Sequence, residues 1–234
     1  ESRGLGDVYK RQGNNGRTEL VFVVDRSGSM GGLESDTIGG FNSMLSKQRT
    51  IAGECRVTTL LFDHRIETLH NHLDIREVND LTSRDYWVRG STALLDAIGL
   101  AIDRMIVTQR HTAAAYRAQH VLFVIITDGY ENASRRYSLH QIKQMITYER
   151  ERYHWEFVFL GANIDAEQTA GDFGISPRCA TDFHADGQGI KASFEAVACA
   201  ATAVRGGADL DDLSAPDFLG GVRDDYRSRR RMKR

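Results

Sequence analysis

The chain has 234 residues, 41% of them hydrophobic and 26% charged, which suffices for a real core in one α/β domain with tails. A formal net charge of −2 gives no reason of its own to expect nucleic acid or an anionic membrane as partner. Two prolines against 22 glycines exclude long Pro-rich linkers, and the lack of any run of 18 apolar residues excludes a membrane-spanning helix.

Residues 1–16, ESRGLGDVYKRQGNNG, contain no apolar segment of signal-peptide type. They resemble translated sequencing-adaptor sequence and are set outside the fold as a non-native or disordered segment. ELVFVVD (19–25) is a valine-rich apolar run, as expected for a strand buried on both faces. Ile38, Phe41, Met44 and Leu45 then recur at helical spacing, which predicts a helix over about 34–48. CRVTTLLFDHRIETLHN (55–71) reads as two strands joined near Asp63 and His64, a hairpin rather than a crossover.

After a polar stretch holding Tyr86 and Trp87, the apolar steps Leu94, Leu95, Ile98, Ile102 and Met105 predict a helix over about 92–108. HVLFVIITD (120–128) is a second buried strand. Ser138 with Gln141 forms a capping-box pattern opening another helix, and WEFVFLG (155–161) is a third parallel-type strand. Asp165 with Gln168 opens a short helix that Gly174 would stop. A brief strand near 179–183 and a helix over about 188–204 complete a domain of residues 18–205. The last twelve residues carry seven basic and two acidic side chains, so 206–234 reads as a flexible basic tail, and only that tail argues for nucleic acid.

Strands and helices that alternate in this way indicate a doubly wound, mostly parallel, Rossmann-like sheet with one antiparallel edge strand and helices on both faces. Ligands collect at the carboxyl ends of such strands, and two of the most apolar strands end in Asp25 and Asp128. Asp25, Ser27 and Ser29 alternate along VFVVDRSGSMGG, so their side chains can converge. One carboxylate and two hydroxyls are small, hard ligands suited to Mg2+, with Mn2+ or Ca2+ as alternatives, whereas zinc would prefer His or Cys. Thr92, at a helix start after Gly90 and Ser91, and Asp128, before Gly129, would meet them at the same sheet edge. The competing reading has Ser27 and Thr92 merely capping helices.

D25-x-S27-x-S29, Thr92 within G-S-T-A-L-L-D-A, and T127-D128-G129 together resemble the metal-ion-dependent adhesion site of von Willebrand factor type A domains. More loosely, the chain is similar to the short stand-alone bacterial members, including those associated with tellurium resistance. The resemblance implies that Ser27, Ser29 and Thr92 lie nearest the metal, with Asp25 and Asp128 acting directly or through water. It implies a metal that accepts an Asp or Glu carboxylate from a partner protein, and the expected module is non-enzymatic and, from its cysteine usage, cytoplasmic. Glu131 and Asn132, with Gly90, Ser91 and Gly129, are expected at the rim.

Other readings compete. A structural metal site would leave partner binding elsewhere. A serine hydrolase would need His64, His120 or His140 as base, and nothing resembles G-x-S-x-G. A phosphotransferase acting through Asp25 would expect a second aspartate where Ser27 stands. His70 and His72 would share a strand face as an exposed pair without a third ligand. Asp182, His184 and Asp186 alternate in a turn-like stretch, and Tyr86 with Trp87, which could instead form part of a partner surface near Thr92, is expected to anchor its loop in the core. Cys55, Cys179 and Cys199 form no CxxC and read as buried small residues in a reducing compartment.

Overall fold

The ELVFVVD run lies in strand β1 (Thr18–Asp25), all eight of whose residues are buried. Burial on both faces belongs to a strand at the centre of a parallel sheet. In the computed structural model, which describes residues 16–232, β1 pairs in parallel with β2 (Cys55–Phe62) on one side and β4 (His120–Thr127) on the other. β3 (Ile66–Asp74) adds antiparallel to β2, while β5 (Glu156–Gly161) and β6 (Ala180–Asp182) continue in parallel beyond β4. The order is β3-β2-β1-β4-β5-β6, the doubly wound sheet with one antiparallel edge strand that the sequence led us to expect. Residues 1–15, nearly all of the segment set aside at the N-terminus, lie outside the described residues.

One face is covered by α1 (Glu34–Arg49) and α5 (Gly187–Arg205). Phe41 of α1 meets Phe22 of β1 edge-on at 5.2 Å between ring centroids and Phe194 of α5 at 6.2 Å. The two helices approach closely because Gly40 has no side chain: a Cβ there would lie 2.4 Å from the Phe194 ring. The other face is covered by α2 (Leu94–His111) and α3 (Leu139–Tyr153), which pack on one another. Ser138 and Gln141 make the reciprocal capping box expected at the start of α3. Asp165 caps α4 (Ala166–Asp172) by accepting from Gln168 N.

The chain stays folded beyond residue 205, which corrects the reading of a flexible tail. Helix α6 (Gly220–Met232) packs on α5 and β6. Its apolar anchors are few, chiefly buried Val222 with Leu219 just before the helix, so the hydrophobic pattern gave no sign of it. Arginines hold it instead. Arg229 pairs with Asp186 at 2.6 Å and with Asp225 at 2.8 Å, while Arg223 Nη2 donates to the carbonyls of Pro177, Arg178 and Ala180 beside the edge strand. Covering an edge in this way blunts its tendency to pair with other chains.

Three smaller expectations are corrected. Cys199 is exposed, although Cys55 and Cys179 are buried as expected and all three are unbridged. His70 and His72 do not form an exposed pair: His70 is buried, stacked on Phe41 and bonded to Thr59 Oγ1, whereas His72 has a positive φ and lies 2.8 Å from Glu19. An irregular register between β2 and β3 breaks the strict alternation on which the pairing relied. Tyr86 is buried, but its neighbour Trp87 is 42% exposed.

Candidate metal centre

Strand order reverses between β1 and β4, so the loops leaving them diverge and open a crevice at their carboxyl ends. Asp25 closes β1 and Asp128 follows β4. Asp25 is fully buried and fixed from both sides: Oδ1 accepts from Ser27 N at 2.6 Å and Oδ2 from Thr127 Oγ1 at 2.6 Å. Burial raises its pKa, against the pull of the Thr127 and Ser27 hydrogen bonds.

From Asp25 the oxygens run across the crevice. Ser27 Oγ lies 3.0 Å from Ser29 Oγ, which donates to Asp128 Oδ1 at 2.5 Å. The other oxygen of Asp128, Oδ2, is buried with no hydrogen-bond partner among the described residues. Its pKa is pushed up to about 6, chiefly by burial; the Ser29 hydrogen bond opposes the rise and the charge of Asp25 adds to it.

Thr92 reaches the same point from the third loop. A Cβ on Gly129 would lie 3.4 Å from Ser29 Oγ and 3.7 Å from Thr92 Oγ1, so both hydroxyls border the same glycine. Asn132 positions this threonine: its Oδ1 accepts from Thr92 N at 2.9 Å, and its own N–H donates to Thr92 O. The five oxygen-bearing side chains singled out in the sequence thus stand together at one sheet edge.

Helix capping does not account for them. Ser27 precedes the 3-10 turn Gly28–Met30 but makes no side-chain cap bond, and the N-cap of α2 is Ala93 rather than Thr92. The start of α2 is served by Glu131, whose Oε2 accepts from Leu95 N at 2.9 Å. Glu131 Oε1 accepts from Ala133 N and Ser134 N, so this carboxylate is spent on the loop and helix rather than turned to the crevice. Gly90 has φ +66°, its oxygen accepts from Gly28 N, and a Cβ on it would run into His64. Ser91 beside it is exposed. Of the other alternating set, Asp182 accepts from Ala166 N, Asp186 caps α5, and His184 bonds to Tyr226 O, all structural duties.

The donor set bears on what the crevice can hold. Among the described residues no three of His, Cys, Asp and Glu gather as a metal site. Two carboxylates and three hydroxyls are hard oxygen donors, and an orphaned buried carboxylate oxygen calls for a cation. The residues present fit a small hard dication.

No protein-family model matches the sequence, and no curated protein was found to match it. Solved structures do match. Proximal thread matrix protein 1 from the mussel byssus, in a structure described as having a zinc-occupied MIDAS motif, is similar with a TM-score of 0.55 and 16% identity, over 80% of this chain and 46% of that one. A mutant of the PilB minor pilin from Streptococcus sanguinis is similar with a TM-score of 0.51 and 13% identity, over 86% of this chain and 64% of that one. This chain has the von Willebrand factor type A fold. It spans about half the length of the mussel protein.

Within that fold the sequence reading missed the scaffold behind the crevice. Asp63, fully buried just after β2, accepts at Oδ2 from Arg89 Nε at 2.7 Å and Arg26 Nε at 3.2 Å, and at Oδ1 from Arg65 N. Burial acts to raise its pKa, but the Arg89 hydrogen bond and the charges of Arg89 and Arg26 hold it below the usual carboxylate range. Asp63 O also accepts from Ala93 N, tying the β2 loop to the start of α2. Tyr86 Oη donates to Asp25 O at 2.5 Å. The signal for Asp63 was available, since it too is an aspartate that follows a buried strand. Tyr86 was expected in the core, but nothing local paired it with Asp25.

Proposed function

We propose that this domain is a metal-dependent protein-binding module in which Asp25, Ser27, Ser29, Thr92 and Asp128 hold Mg2+ or a similar divalent ion. The observation that carries this reading is the buried Asp128 Oδ2, without a partner among the described residues and set in a row of hydroxyls that ends at a second buried carboxylate. A bound dication would supply a positive centre with a coordination position open to an outside carboxylate. The protein's part is to present the oxygens already in place: Thr127 and Ser27 N fix Asp25, and Asn132 fixes Thr92. With two ionised aspartates and a dication the centre is near neutral, so it retains an appetite for one more anion. A similar fold carrying a zinc-occupied MIDAS motif in the mussel protein supports the reading.

The partner in this reading is a protein offering Asp or Glu, and the module performs no chemistry on it. The hydroxyls serve as ligands rather than nucleophiles. The test is binding of an aspartate-bearing peptide in Mg2+ and again in EDTA, with circular dichroism to show that the fold persists. Binding in Mg2+ that EDTA abolishes is the expected result. Equal binding in EDTA would contradict it, and would favour a partner surface away from the metal.

A further inference from the structure

Beside the crevice, Trp87 and the two arginines that hold Asp63 form a second group. Trp87 is 42% exposed on a molecule whose other tryptophan is buried. Two guanidinium groups lie against its ring, Arg89 at 4.4 Å and Arg26 at 5.5 Å from the centroid. Both share Asp63 Oδ2 through their Nε atoms. Arg26 is 1% exposed, its Nη2 donates to Glu67 at 2.7 Å, and its Nη1 has no partner among the described residues. Arg89 is partly exposed, and among the described residues its only side-chain hydrogen bond is the one from Nε. Its outer edge, Nη1 and Nη2, is therefore held in place and unused.

We propose that Arg89, stacked on Trp87 and fixed by Asp63, is a second carboxylate receptor beside the metal centre, so that the favoured partner segment carries two acidic side chains a few residues apart. This rests on the metal-binding reading above for the first of the two carboxylates. The physical case is pre-organisation. A guanidinium that is already stacked and clamped loses little freedom when a carboxylate arrives, and its planar fork suits bidentate acceptance. Charge agrees: Glu67 answers the buried Arg26 from an exposed, solvent-screened position, Asp63 is shared by both guanidiniums, and Arg65, in the turn that holds Asp63, adds a further positive charge. Distance agrees as well. Arg89 precedes Thr92 by three residues, at most about 10 Å of backbone, and the loops are joined by Arg89 N to Arg26 O and Gly28 N to Gly90 O, each at 3.0 Å. Two acidic residues separated by one to three others on an extended peptide span a comparable distance.

The fold supplies a reporter for the test. With Trp155 of the opposite sheet edge replaced (Trp155→Phe), Trp87 is the one remaining tryptophan, and ligands at Arg89 alter its emission. Synthetic peptides carrying one aspartate, or two at spacings of two to four positions, are titrated in Mg2+. The best two-acid peptide is expected to bind at least tenfold tighter than the one-acid peptide and to change Trp87 emission more. Arg89→Ala is expected to bring both peptides to the same affinity, and Arg89→Lys, which keeps the charge without the fork, to restore only part of the difference. Mg2+ affinity, measured calorimetrically without peptide, is expected to stay unchanged in both variants. A wild-type ratio near one overturns the receptor whatever the metal does, as does an Arg89→Ala variant that weakens both peptides equally. Failure of Mg2+ to bind alone would instead overturn the metal reading.

Discussion

At the residue scale, Asp128 is where burial, charge and ligand binding meet. Its carboxyl is pushed up to about 6 from an ordinary value near 3.8. Between those values the unfolded chain has released a proton that the folded chain keeps. The metal-free protein therefore loses stability as pH rises through that window. Asp128→Asn should remove this slope, seen as a difference between variant and wild type in urea unfolding in EDTA at about pH 4.5 and 6.5. In the presence of Mg2+ the sign reverses, because the metal needs the ionised carboxylate. Apparent Mg2+ affinity should fall about tenfold for each pH unit below about 6 and level off above it, as calorimetric titration would show. A flat profile would mean that Asp128 does not gate binding. Asp63 is the structural counterpart. Asp63→Ala leaves the buried Arg26 guanidinium with exposed Glu67 as its remaining carboxylate and should cost about 3 kcal/mol in chemical denaturation.

At the scale of elements, the strands and the helices on the two sheet faces were legible because they follow the plain patterns of burial. β1 reads as an unbroken apolar run since both its faces are covered, and α2 reads as a stripe since one of its faces is covered. Helix α6 was illegible for the opposite reason, being held by Arg223 and Arg229 rather than by an apolar face. Exposed ion pairs contribute little each, so Arg229→Ala should cost about 1 kcal/mol or less globally while raising amide exchange through residues 220–232. The α1–α5 contact gives the contrasting case. Gly40→Ala improves intrinsic helix propensity by about 1 kcal/mol, yet its Cβ would collide with Phe194. The overpacking term of about 1–3 kcal/mol should win and lower the melting temperature.

For the whole molecule, the candidate site was legible because its five side chains sit at the ends of strands and at a helix entrance, positions that the alternating pattern locates before any coordinates exist. The pairings that support it were not legible, although Asn132 was expected at the rim and Asp63 follows a buried strand. Asn132, Thr127, Tyr86 and Asp63 act through contacts that cross 40, 102, 61 and 26 positions of sequence, and nothing local marks such pairs. The proposed function requires that the strand-end oxygens of the assembled domain bind a divalent cation in the native state. The direct measurement is thermal unfolding across an Mg2+ titration, for wild type, Asp128→Ala and Thr92→Ala. Free Mg2+ at a hundredfold excess over its dissociation constant should stabilise the wild type by about 2.7 kcal/mol, raising its melting temperature by roughly 5–10 °C. Both variants should show a much smaller rise at the same concentration. A wild-type melting temperature that neither Mg2+ nor Mn2+ moves, in a protein that is folded before heating, would contradict metal binding at this site.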